Sequence, residues 1–200
     1  FQALLANWIS ALSTICIILF IAWLQPARFA SIGINLLDRS QNFAGLVKGF
    51  VLFSFLLILT YFFKRLILGN KKPNEIALQD SHRPEVLEII RHQDWIDRLA
   101  YLSVIPVTVI AEEFVYRGYL VLYLGNRSGN FLPWAVFSVA LSVVVHLYQG
   151  RDLRNILIHL LLATPLVGIT MVTKNLFASI IGHLFNNLAF TFNIWRLADH

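Results

Sequence analysis

Residues 104–124 read VIPVTVIAEEFVYRGYLVLYL. The run is apolar and long enough to cross a bilayer, which takes about 20 helical residues. Yet its middle holds two acids and a base, Glu112, Glu113 and Arg117. Ionisable groups are costly in hydrocarbon and are kept where they face the inside of a helix bundle. This stretch predicts a membrane helix whose inner face carries chemistry.

The rest of the chain supports that setting. Of its 200 residues, 58% are apolar and 14% are charged, about half the charged share of an ordinary soluble domain. The charges are bunched, so that residues 1–27, 49–63, 99–111, 128–150 and 175–195 hold none. This composition excludes a soluble enzyme, a disordered chain, a collagen and a disulfide scaffold. Long unbroken apolar runs also exclude a membrane β-barrel, whose strands alternate. The expectation is an all-α, polytopic membrane helix bundle. Its six transmembrane helices lie near 3–24, 44–63, 104–124, 131–148, 154–172 and 175–195. Residues 1–200 form a single membrane domain without internal repeats. The first run lacks the basic start and small-residue cleavage site of a signal peptide, and is read as a true span. A lone cysteine, Cys16, leaves no disulfide or cysteine metal cluster within the chain.

Between the second and third spans, residues 71–98 mix six acids with five bases. From Pro84 to Leu99 the apolar Val86, Leu87, Ile89, Ile90, Ile96 and Leu99 recur among charges. That pattern predicts an amphipathic helix on the membrane interface, leading into the third span. Basic residues set the orientation. Lys64, Arg65, Lys71, Lys72, Arg83, Arg91, Arg98, Arg151, Arg154 and Arg196 fall on one side; Arg28, Arg39, Lys48, Arg127 and Lys174 fall on the other. The richer side is cytoplasmic, which puts both ends of the chain there. The net charge of +5 is read as loops at an anionic lipid surface, not as a nucleic-acid site. The localisation expected is an integral, multi-pass protein of a prokaryotic plasma membrane, with the lipid bilayer as its surroundings.

Polar residues recur within the spans at four-residue spacing, which places them on common helix faces. The stripes are Thr108, Glu112 and Tyr116; Ser138, Ser142 and His146; Asn155 and His159; and Ser179, His183, Asn187 and Thr191. The serines and threonines are read as interhelical packing groups. Glu113 and Arg117 make a four-spaced ion pair. Glu112 has no base one turn away and needs another partner. A carboxylate and an imidazole sharing a water form a general-base pair, and Glu112 with His146 fits that role. His183 and Asn187, one turn apart, can donate two hydrogen bonds to one oxygen, as a tetrahedral oxyanion requires. No serine or cysteine sits beside a plausible base, so water is the nucleophile and the reaction is hydrolysis of a carbonyl bond in the membrane. Three other readings use the same residues. Glu112, His146 and His183 could hold zinc with an open position. His146, His159 and His183 are candidate haem ligands. Glu112 could be the proton carrier of a transporter.

Taken in order, the motifs resemble a known family. AEEFVYRGYL (111–120) is similar to the EExxxR motif of the CAAX-protease and bacteriocin-processing (CPBP, or Abi) intramembrane proteases. SVVVH (142–146) stands where that family has FxxxH, and HLFNN (183–187) supplies HxxxN. The resemblance covers about residues 85–195, a CPBP-like catalytic core. It implies an all-helical membrane fold and an endopeptidase, similar to the type II CAAX prenyl endopeptidase, that acts on a membrane-bound peptide or protein. It implies that Glu112 and His146 activate water, that His183 and Asn187 hold the oxyanion, and that Glu113 and Arg117 complete the motif. The family has been called metalloprotease; the expectation here is no cofactor, with Zn2+ on Glu112, His146 and His183 as the alternative. Ser142 replaces the family's phenylalanine and alters the shape of the cavity. Some relatives act as scaffolds, so a non-catalytic regulator of a membrane-protein partner is the alternative function.

Overall fold

The computed structural model describes residues 39–68, 94–147 and 153–198, with isolated positions between 8 and 33. Among the described residues every regular element is a helix. Helix α1 is Arg39–Leu68. Helix α2 runs unbroken over Trp95–Ser128. Helices α3, α4 and α5 are Leu132–His146, Leu153–Thr173 and Leu176–Ala198. The all-helical expectation therefore holds.

Two helices are long and apolar enough to cross a membrane, Trp95–Ser128 and Ile156–Thr173; Phe43–Leu52, Leu132–His146 and Leu176–Phe192 are shorter apolar stretches. Among the described residues, two of the six expected spans thus coincide with helices that are both long and apolar enough. The 15 residues of α3 rise about 22 Å at 1.5 Å each, less than the roughly 30 Å of a hydrocarbon core. The expected first span, 3–24, lies mostly outside the described residues, and the interfacial helix lies outside them up to residue 93. What is described of the latter differs from the expectation. Asp94 caps a helix that begins at Trp95, its carboxylate accepting the Asp97 N–H at 2.8 Å. Residues 95–99 are thus the first turns of α2 and not a separate element.

Helix α2 changes character at the motif. It is α-helical over Trp95–Glu113, π-helical over Phe114–Leu124, and α-helical again over Gly125–Ser128. The switch falls directly after the paired acids. A π-helix bonds i to i+5 and is found in short pieces, often at functional sites. One side chain ties this segment to its neighbour: the fully buried Ser138 on α3 donates its hydroxyl to the Tyr116 carbonyl at 2.8 Å.

Packing is tightest between α1 and α5. A Cβ added to Gly49 would come within 2.8 Å of the Ala178 carbonyl, and one on Gly45 within 2.8 Å of the Asn175 amide. Small residues four apart allow backbones to approach this closely. Ile105 and Val109 of α2 pack on Leu176 and Ile180 of α5; Val121, Ala135 and Val167 join α2, α3 and α4. The outer faces are apolar and uncovered, with Phe43, Phe50, Phe55 and Phe62 exposed on α1, Val136 and Phe137 on α3, and Val172 on α4. Exposed apolar side chains of this size suit lipid.

Candidate active site

The centre of the site is where α5 crosses α2. Glu113, the last α-helical residue before the π segment, is fully buried, and Arg117 reaches back to it with Nη1 3.0 Å from Oε1. The ion pair expected from their spacing is present. The same Oε1 accepts a hydrogen bond from His183 on α5, whose Nδ1 lies 2.8 Å away. A ring nitrogen facing a carboxylate carries the hydrogen, so Nδ1 of His183 is committed to Glu113. Its other nitrogen, Nε2, points toward Glu112, with Oε2 at 3.8 Å. Glu112 is 28% exposed whereas Glu113 is 0%. One carboxylate is therefore an anchor inside the bundle, and its neighbour is open at the edge of it.

His146 ends α3 and is half-buried. Its Nδ1 donates to the Ser142 carbonyl at 2.7 Å, which leaves Nε2 as the nitrogen with a lone pair. Its ring is stacked on His159 of α4, centroids 4.6 Å apart. Among the described residues it makes no contact with Glu112; the imidazole that Glu112 touches is His183. Asn187, half-buried one turn beyond His183, makes no hydrogen bond to a described residue, so its amide is open. The side chain of Asn155 lies outside the described residues. Ser138 and Ser142 of α3 are buried, and Ser138 meets α2 as an interhelical packing group would.

The structure thus brings together Glu112, Glu113, Arg117 and His183, with Asn187 on the same helix face as His183. It sets His146 beside His159. Two features were missed in the sequence. The His183–Glu113 bond joins residues 70 apart, and no local pattern marks it. The His146–His159 stack could have been sought, since both end four-residue stripes on consecutive helices.

Residues 94–189 match the family model described as type II CAAX prenyl endopeptidase Rce1-like. Over that stretch the chain is similar to this family. The Rce1-like match covers the three motifs and begins at Asp94, the residue that caps α2. It agrees with the resemblance carried by the motifs themselves. Searches of curated proteins and of solved structures return no match. As for metal, among the described residues no three of His, Cys, Asp and Glu converge as a ligand set. In the matched stretch as it stands, Glu112 and His183 approach each other but His146 is turned to His159. A zinc site with these three ligands does not fit this arrangement.

Proposed function

We propose that the protein is an intramembrane endopeptidase of the Rce1-like kind, hydrolysing a peptide bond in a membrane-associated, C-terminally prenylated peptide or protein. The observation that carries this reading is the partition of the acid pair. Buried Glu113 fixes His183 through Nδ1, and half-buried Glu112 stands 3.8 Å from the other nitrogen. That separation leaves room for a water bonded to both groups at about 2.8 Å from each.

The chemistry follows from these positions. Glu112 takes a proton from the water, and the hydroxide formed attacks the scissile carbonyl carbon. The negative charge that develops on the carbonyl oxygen is met by N–H donors, from the Asn187 amide and, where Nε2 carries a hydrogen, from His183. Glu112 then returns the proton to the leaving amine, so that the products are one carboxylate and one amine. His146 is turned to His159 in this arrangement; its open Nε2 is read as orienting the water when substrate is bound, since catalytic hydrogen bonds tighten only in the complex. Arg117 does not meet the substrate; it holds Glu113, and through it His183. In this reading the protein is multi-pass, works without metal, and takes its peptide from the cytoplasmic side of the bilayer.

The test is cleavage of a farnesylated CAAX peptide by the detergent-purified protein, in parallel with Glu112→Gln. Glutamine keeps the shape but cannot accept the proton, so turnover should fall about a hundredfold or more with melting unchanged. Normal turnover in Glu112→Gln would remove Glu112 from the mechanism. No cleavage by the wild type of any peptide in a membrane-peptide library would favour a scaffold.

A further inference from the structure

We infer that His159 is a positioning residue for His146, a role that rests on the reading of His146 as part of the hydrolytic site. His146 is the last residue of α3, and a side chain at a helix end has little of its own helix to hold it. Among the described residues, two contacts settle its ring. The Nδ1 hydrogen bond to the Ser142 carbonyl, 2.7 Å, fixes the ring relative to α3 itself. It does nothing to hold the ring relative to the rest of the bundle, because donor and acceptor belong to the same helix.

The stack on His159 is the contact that crosses helices. The centroids are 4.6 Å apart and the planes 30° from parallel, an offset aromatic stack. His159 lies on α4, which is anchored in the core by Val167 against Val121 and Ala135. The stack therefore refers the His146 ring to α4 and, through the core, to α2, where Glu112 stands. Among the described residues His159 makes no hydrogen bond, so its contribution is the flat face of the ring. With Nδ1 tied and one face covered, His146 presents Nε2 in a single direction. Misplacing a reacting group by about 1 Å costs about a hundredfold in rate, which is the scale on which the stack acts.

The experiment compares wild type, His159→Leu, His159→Phe and His146→Ala in cleavage of the farnesylated peptide, with melting temperature on the same samples. Leucine fills the space without a flat face; phenylalanine keeps the face without the nitrogens. His159→Leu should lose about tenfold or more in kcat at nearly constant KM, and His159→Phe should restore kcat to within about threefold of wild type. A role confined to stability would move melting and leave the kcat-against-KM split alone. Should His159→Leu not fold, His159→Gln takes its place. Wild-type kcat in the leucine variant, or a loss that appears in KM, overturns the inference. So does a phenylalanine variant as slow as leucine, since the imidazole would then act itself. Full activity in His146→Ala would overturn the reading of His146 first, and this inference with it.

Discussion

Arg117 is 1% exposed and Glu113 0%, so this pair has no water to fall back on. It is also incompletely satisfied: Arg117 Nε and Glu113 Oε2 are buried without a hydrogen-bond partner among the described residues. Buried pairs of this kind contribute little net stability, yet breaking one strands the other charge, at about 3–5 kcal/mol. Arg117→Ala should therefore lower the melting temperature and the yield, and lose cleavage as a consequence. Asn187→Ala should behave oppositely. Its amide has no described partner to lose, so melting should hold while turnover falls about a hundredfold, the scale of a lost oxyanion donor. Thermal melts and peptide cleavage on the same detergent-purified samples decide it. An Arg117→Ala variant that melts normally but is inactive would place Arg117 in contact with substrate. At this scale the sequence was most legible where partners share a helix. The Glu113–Arg117 pair follows from four-residue spacing. The partner of Glu112 did not: the sequence reading paired it with His146, and the crossing of α5 over α2 sets His183 beside it instead.

The elements that carry the site were legible in type and, for α3 to α5, nearly in extent, because unbroken apolar runs bounded by charge leave little choice but a helix. The start of α2 was missed by several residues, although Asp94 ahead of an apolar run with Asp97 three residues on is a capping pattern. The π segment could not have been read, since the same residues satisfy a 3.6-residue period. What the sequence did show is that Ser138 belongs to an interhelical stripe. In the structure its hydroxyl meets the Tyr116 carbonyl within the π segment. Removing it leaves a buried carbonyl without that donor, which costs about 1–3 kcal/mol. Ser138→Ala should thus be destabilised by about that amount in denaturant or thermal unfolding. A variant that unfolds like wild type would show the π segment to be held by its neighbours' packing alone.

Over the whole molecule, side-chain contacts sort the charges into two ends. Arg98 near the start of α2 lies over the Trp195 ring near the end of α5, 5.5 Å from its centroid. Tyr101 stands edge-on to the same ring. At the far end of α2, Lys174 between α4 and α5 sits against Phe131 at the start of α3, 3.1 Å from the ring centroid. These pairings set Arg98 at one end of the bundle and Lys174 at the other. The 34 residues of α2 extend no more than about 51 Å at 1.5 Å each, enough to carry its ends into both interfaces. Lys174 and Arg196, both exposed, should then face opposite sides of the membrane, with Arg196 on the cytoplasmic side, where positive loops accumulate. Cys16 is the natural thiol, so Cys16→Ser clears the background for Lys174→Cys and Arg196→Cys. An impermeant maleimide should label the Arg196→Cys protein in inside-out vesicles and the Lys174→Cys protein in intact cells or right-side-out vesicles. Labelling of both from one side would mean that α5 does not span. Reversed labelling would invert the bundle and open the Glu112 site away from the cytoplasm.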